Sequence, residues 1–445
     1  MTENKHQFRA IKGTRDILPP DSALWNWFEQ TARNTLESYN FREIRLPIFE
    51  ETELFARSIG ADSDVVNKEM YTFSTAHDAD RKEEGASFQT YSLRPEATAS
   101  VVRAYIENGM QTLPGNAKLY YVGPMFRRER PQKGRYRQFY QIGAEVLGQS
   151  DAPAIDAEVI EMLMIFFKRA GLTRTTLYIN SIGDKNCRPP YVELLREELR
   201  KLNDEATSVG RLGPDSQRRI ETNPLRVLDS KLPEEQPIIA KLPRISDHLC
   251  DACREHFSKL KEELTLRGIA YEENWRLVRG LDYYTRTTFE VIAEGLGSQN
   301  AVCGGGRYDG LVELLGGLPT KGIGFAIGTD RAILSIQESG KLPQLPALAV
   351  FVAWMGPAAY PTAVNITRKL RQAGLAVELP AEEMRFKKSL GLADKLGARY
   401  ALIIGEDEVT SGTFTLKRLA DSDQKKLSEF ELLEYLESER RDTRA

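Results

Sequence analysis

The chain has 445 residues, enough for two or three domains that each bury a core of their own. Its 41% hydrophobic and 28% charged residues are those of a globular protein, and a net charge of -3 leaves no case for a polyanionic partner from overall basicity; such a partner has to be met by local patches. No apolar run reaches the ~18 residues of a membrane span, and the start, MTENKHQFRAIKG, lacks the apolar centre of a signal peptide, so a cytoplasmic protein without a membrane segment is expected.

From Asp21, a suitable N-cap, Leu24, Trp25, Phe28, Ala32, Leu36 and Tyr39 recur at helical spacing and predict a helix ending near Asn40. Its aromatic surface suits either a subunit interface or burial in its own domain. A strand over 41–46 stops at Pro47, and the charged segment 74–87 reads as a loose hairpin tip. After a strand over 88–93, the turn Arg94-Pro95-Glu96-Ala97-Thr98 opens a helix through Tyr105. Pro95 suits a first helical turn, and Glu96 sits at the electropositive end, where an acid also serves as a simple helix-start residue.

The stretch from Leu119 to Gly148 predicts a strand, a basic loop and a second strand. In the loop Arg127, Arg128, Arg130, Lys133, Arg135 and Arg137 face one acid, Glu129, so it invites an anion; a solvated hairpin tip is the ordinary alternative. Strand side chains repeat every second residue, so Tyr140, Ile142, Ala144 and Val146 share one face. Phe139, Gln141, Gly143, Glu145 and Leu147 share the other. Gln141 and Glu145 then stand roughly 13 Å apart, with Gly143 leaving a polar hollow between them.

A helix over 154–169 and a strand over 177–182 follow. From Asp184 to about Lys261 the pattern is helical, charged and broken by prolines, as in an inserted module. Its Arg218, Arg219 and Arg226 suit solvent better than nucleic acid. Cys250 and Cys253 form C-x-x-C beside His248 and His256, which is half a zinc site or a redox pair. A structural zinc needs four ligands, and the flanking residues read as one amphipathic helix, so no metal held by side chains is expected. The four cysteines are too few for a disulfide scaffold, and no Ser/His or Cys/His catalytic system stands out.

Strand patterns return over 270–278 and 287–293, and another ends in Cys303-Gly304-Gly305-Gly306-Arg307-Tyr308-Asp309-Gly310, where glycines let backbone approach a ligand. Neither a G-x-G-x-x-G nor a P-loop fingerprint is present. Residues 322–325 lead into a helix over 327–337 that carries Arg331. LPQLP, 342–346, reads as a linker. Beyond it, strands at 348–354, 375–379, 399–404 and 413–419 alternate with helices at 361–373, 383–396 and 427–439, which predicts a small α/β domain on a largely parallel sheet.

These pieces resemble a class II aminoacyl-tRNA synthetase, and more narrowly the histidyl-tRNA synthetase family. The general resemblance rests on the helix and strand ending at Pro47, on FRRERPQKGRYRQFYQIGAE and on GIGFAIGTDRAIL. The narrower one rests on LVRGLDYYTRTTFEV, AVCGGGRYDGLV, SLRPEAT and DVVNKEMYTF, and it covers nearly the whole chain. Ala97 stands where glycine is frequent in that family.

The resemblance implies an α+β catalytic domain with an antiparallel sheet flanked by helices, a helical insertion and a C-terminal α/β anticodon-binding domain. The division it suggests is catalytic 1–183, insertion 184–261, catalytic 262–338, linker 339–346 and anticodon-binding 347–445. The implied activity is ATP-dependent activation of L-histidine and its transfer to the cognate tRNA, by a homodimer using Mg²⁺. The implied catalytic residues are Arg127, Arg279 and Arg331. ATP is expected against Arg127, Glu129, Arg135, Phe139 and Arg331; histidine is expected against Glu96, Ala97, Thr98, Gln141, Glu145, Arg279, Tyr283, Tyr284, Gly304 and Gly305. A related family member serves as a non-catalytic regulatory subunit of ATP phosphoribosyltransferase in histidine biosynthesis. It generally lacks the C-terminal domain and has eroded signatures, whereas this chain retains the three arginines and its last hundred residues.

Overall fold

A computed structural model describes residues 8–60, 63, 65–74, 89–204, 212–295, 300–340, 342–343, 345 and 348–442. The hairpin tip expected over 74–87 lies outside these, apart from Ser74, as do residues 344 and 346 of the linker 342–346. The chain divides into two compact units, Met1–Pro343 and Gln344–Ala445.

In the first unit the strands are β1 (Arg42–Glu43), β2 (Phe49–Glu51), β3 (Tyr71–Ser74), β4 (Thr90–Leu93), β5 (Ala117–Phe126), β6 (Gln138–Gly148), β7 (Thr175–Ser181), β8 (Glu272–Glu273), β9 (Thr285–Ala293), β10 (Ala301–Arg307) and β11 (Lys321–Gly328). Eight of them make one sheet in the order β1-β5-β6-β11-β10-β9-β7-β8. The six inner strands run antiparallel to their neighbours, and the two-residue strands β1 and β8 join the edges in parallel. The strand expected over 270–278 shrinks to β8. Strands β2, β4 and β3 form a separate antiparallel sheet.

Helix Asp21–Ser38 buries Leu24, Trp25, Phe28, Ala32 and Leu36, and Phe28 meets Phe166 of helix Pro153–Arg169 edge-on at 5.0 Å. Its apolar stripe is therefore spent inside its own unit, each large side chain contributing about 2 kcal/mol. Helix Asp251–Leu266 packs on the same Pro153–Arg169 helix. Helix Arg188–Asp204 buries Tyr191, Leu195 and Leu199 in a core shared with Ala97, Tyr121, Leu147 and Tyr308 of the sheet region.

The second unit has strands β12 (Val350–Trp354), β13 (Val377–Glu378), β14 (Tyr400–Ile404), β15 (Thr413–Arg418) and β16 (Gln424–Ser428), in the order β13-β12-β14-β15-β16. The first three are parallel; β15 and β16 form an antiparallel hairpin. The sheet is thus mixed rather than largely parallel. Alternate residues of β12 enter two apolar layers, Val350 and Val352 with Leu432 and Leu436, and Phe351 and Ala353 with Ala393 and Ala398. Burial on both faces is what makes VFVAW a continuous apolar run.

Candidate active site

Register explains why the sheet opens where it does. Glu290 of β9 pairs with Gly304 of β10, Gly304 with Ala326 of β11, Ala326 with Gly143 of β6, and Gly143 with Tyr121 of β5. Three near-bare residues therefore lie in a row between an acid and a phenol. Long side chains from elsewhere can lie across such a row. A Cβ on Gly304 would stand 1.9 Å from the Arg279 guanidinium, and one on Gly143 would stand 2.2 Å from the Tyr121 ring and hydroxyl. The hollow expected at Gly143 is consequently filled by Tyr121, a cross-strand neighbour that the pattern of β6 alone does not reveal.

Above this row lies a cavity of about 250 Å³. Of the expected site residues, Glu96, Thr98, Arg127, Glu129, Arg135, Phe139, Gln141, Glu145, Arg279, Tyr283, Tyr284, Gly304 and Arg331 line it; Ala97 and Gly305 do not. Ala97 is wholly buried at the N-cap of helix Thr98–Glu107. Gly305 alternates to the far face, where a Cβ would stand 2.4 Å from the Gly324 carbonyl and 2.5 Å from Phe289, and Gly306 likewise meets Thr287 and Tyr284 rather than open space. Tyr121, Glu290 and Tyr308 line the cavity without having been singled out. Glu290 had a readable signal, a lone acid in the otherwise uncharged TTFEVIA of β9; Tyr308 stood in the glycine block itself.

One end of the cavity is acidic and hydroxyl-rich. Glu145 accepts from Thr98 Oγ1 at 2.8 Å and from Tyr308 Oη at 2.6 Å. A carboxylate has about four lone-pair sites, so further donors can be met. Burial raises the Glu145 carboxyl from its ordinary 4.5 to about 8, with nearby Glu96 adding to the effect. Glu96 accepts the Thr98 and Ala99 backbone N–H groups at 2.7 and 3.0 Å, so it does act as a helix-start acid. Pro95 lies outside that helix. Burial also raises the Glu96 carboxyl.

The other end is cationic. Arg127 donates to the Pro95 carbonyl at 2.9 Å and lies 5.4 Å over the Phe139 ring. Arg331 is held by the Gly134 and Ala301 carbonyls at 3.2 and 2.9 Å. Arg135 pairs with Glu129 at 3.3 Å, and Arg279 with Glu290 at 2.8 Å. Burial lowers the Arg331 pKa, and the charge of Arg135 lowers it further, so an anion placed among these groups would relieve repulsion. Tyr121 Oη, Gln141 Oε1 and the Nε atoms of Arg135 and Arg279 are buried without a hydrogen bond. Such atoms are uncommon in folded proteins, and four on one cavity wall mark where a polar ligand belongs.

A second cavity of about 470 Å³ shares Arg127, Glu129, Arg135, Arg279 and Leu281 with the first and reaches Arg218, Arg219 and Arg226. The insertion arginines thus border the site instead of facing bulk solvent alone. Arg307 and Asp309, in the same block as the glycines, do not line either cavity: Arg307 is buried against Asp156 and pairs with Asp309 at 3.0 Å.

An antiparallel sheet floor, an arginine-bearing hairpin and an arginine at the start of the helix after β11 define a class II aminoacyl-tRNA synthetase. The histidyl-tRNA synthetase family profile matches residues 13–332, and an anticodon-binding domain profile matches residues 349–439. A histidine–tRNA ligase of Koribacter versatilis is 52% identical over 432 residues, covering 96% of each chain. One of Solibacter usitatus is 52% identical over 431 residues, covering 97% of this chain and 99% of the relative. The crystal structure of apo histidyl-tRNA synthetase from S. aureus matches with a TM-score of 0.77 at 36% identity, over 97% of this chain and all of that one. The chain belongs to the histidyl-tRNA synthetase family and is an aminoacyl-tRNA ligase.

Proposed function

We propose that the chain activates L-histidine with ATP and transfers it to the 3′ end of its cognate tRNA. The observation that carries this reading is one cavity with carboxylates and phenols at one end and four arginines at the other. An amino acid offers an ammonium and, here, an imidazole to the first end; ATP offers phosphates to the second.

At the acidic end Glu145 accepts an imidazole N–H and Tyr284 meets the other ring nitrogen. Glu96, Thr98, Gln141 and Tyr283 take the α-ammonium and nearby polar atoms. A wrong side chain would leave these buried groups unpaired, which discriminates by roughly 10⁴ or more without editing. At the cationic end Phe139 stacks on adenine and Glu129 hydrogen-bonds it. Arg127 takes the α-phosphate, Arg331 the γ-phosphate, and Arg135 lies near the pyrophosphate.

In activation a substrate carboxylate oxygen bonds to the α-phosphorus and pyrophosphate leaves. Both reactants are anions, so positioning and cationic stabilisation dominate. Arg279, drawn across Gly304 beside both ends, joins the reacting carboxylate and α-phosphate. Mg²⁺ would be held chiefly through ATP's own oxygens, since the nearby wall carboxylates Glu129 and Glu290 are paired with Arg135 and Arg279. Bound there, it would neutralise phosphate charge. In transfer, the terminal tRNA hydroxyl attacks the carbonyl, AMP leaves, and an oxygen of the adenylate phosphate takes the proton.

The second cavity suits the incoming acceptor end, and the second unit, with its anticodon-binding profile, suits the far end of the tRNA. We retain the division 1–183, 184–261, 262–338, 339–346 and 347–445 as a functional one. A homodimer is supported by the exposed Phe49 and Phe73 on the small sheet, an apolar face fit for a second copy. A cytoplasmic location goes with the substrates; among the described residues no helix is long and apolar enough to cross a membrane. The non-catalytic regulatory reading has no need of Arg127, Arg279 and Arg331 meeting in one cavity. Histidine-dependent ATP–pyrophosphate exchange by the unsubstituted chain decides between the readings, and replacing Arg279 with His should lower it at least about a hundredfold, as when one preorganised cationic donor is lost. Exchange left intact would remove the central role given to Arg279.

A further inference from the structure

Cys303 belongs to the cavity wall, but the other three cysteines meet elsewhere. Cys187 follows β7, and Cys250 and Cys253 begin helix Asp251–Leu266, yet their sulfurs and an Asp184 oxygen all lie within 4.8 Å of one another. Asp184 Oδ1 is 3.6 Å from Cys187 Sγ and 3.9 Å from Cys250 Sγ. A tetrahedral zinc with bonds of about 2.0–2.3 Å sets its ligand atoms roughly 3.3–3.8 Å apart. The first of these separations already has that length, the second exceeds it by about 0.1 Å, and the longest would close by about 1 Å. We propose that Asp184, Cys187, Cys250 and Cys253 form a structural zinc site with three thiolates and one carboxylate.

The surroundings are those such a site requires. Its ligands come as two pairs of x₂ spacing, Asp184 with Cys187 and Cys250 with Cys253, the usual grammar of zinc knuckles. Gly183 turns the chain at φ +68°, and a Cβ there would stand 2.7 Å from Cys187 Sγ. The Asp184 N–H points at Cys187 Sγ at 3.4 Å, and the Asn186 N–H donates to Asp184 Oδ1 at 2.9 Å. Cys250 is the N-cap of the 16-residue helix Asp251–Leu266, whose first turn carries Cys253. Zinc with these four ligands carries a net charge of -2, and Arg286 stands 3.7 Å from Asp184 to offset it. A disulfide would use two of the three sulfurs and leave the third beside the carboxylate.

The site would clip the end of β7 to helix Asp251–Leu266 and so close the helical segment between them. Arg188, next to Cys187, donates to the Tyr284 carbonyl, which places the clip one hydrogen bond behind the cavity. C-x-x-C alone argued against a metal because half the ligand set was missing; Asp184 and Cys187 supply it across a long sequence separation.

The test is metal analysis of the full-length chain, expressed with zinc and purified under reducing, chelator-free conditions. About one zinc per chain is expected, released in step with mercurial titration of the thiols. Cobalt loaded in its place should give a thiolate-to-metal charge-transfer band and the visible bands of a tetrahedral centre. The Cys187→Ser and Cys253→Ser chains should lose the metal, whereas Asp184→Cys should keep it. Wild-type protein with less than about a tenth of an equivalent of zinc and no cobalt bands would overturn the proposal, even if the serine variants fail to fold. Zinc retained in full by a folded Cys253→Ser chain would overturn it as well.

Discussion

Glu145 is the residue to which the proposed reading gives recognition of the amino acid. Its carboxyl lies 1% exposed between two hydroxyl donors, with Glu96 nearby, and its proton is held to about pH 8. Glu145→Gln keeps the shape but removes an acceptor, so the histidine KM should rise at least about tenfold while the ATP KM stays within about twofold. Equal changes in both would refute the assignment. The same carboxyl ties stability to pH. Because its pKa is raised on folding, the folded chain binds more protons than the unfolded one between 4.5 and about 8. That contribution is complete below the lower value and is lost as pH rises through the upper one. Thermal unfolding of the ligand-free chain from about pH 6.5 to about pH 9 should therefore show a decline in stability that Glu145→Gln flattens. Parallel curves would show that Glu145 is ionised throughout.

The hairpin β5–β6 with β11 is the element that sets the floor. Gly324 faces Glu145 across strands, and a Cβ there would stand 1.7 Å from Glu145 Oε2 and 2.5 Å from the Ala144 carbonyl. Gly324→Ala should destabilise the chain by about 1–3 kcal/mol in denaturant titration and weaken histidine binding, since backbone cannot yield there. A neutral outcome would mean that the strands are looser than their register suggests. The insertion supplies a second element-scale expectation. Arg218→Ala with Arg219→Ala should raise the tRNA KM severalfold and leave pyrophosphate exchange unchanged, because these arginines line only the outer cavity. Much of this was legible beforehand. Alternation in β6 correctly put Phe139, Gln141 and Glu145 on one face, since period two follows from strand geometry. Cross-strand register was not legible, and so Tyr121 over Gly143 and Tyr308 on Glu145 were missed. Strand β16, QKKLS, escaped because an exposed, polar strand leaves no apolar period to read.

At the scale of the molecule, every residue of the activation cavity belongs to the first unit, Met1–Pro343, while the anticodon-binding profile lies within the second. On the proposed reading, activation is conducted by the first unit's residues, and tRNA selection adds the second. Amino-acid identity should be decided before tRNA is present, at Glu145, Tyr284 and the groups around them. ATP–pyrophosphate exchange, run without tRNA and separately with each of the common amino acids, measures that choice directly. Histidine alone should support exchange; comparable exchange with any other amino acid, or none with histidine, would contradict the account.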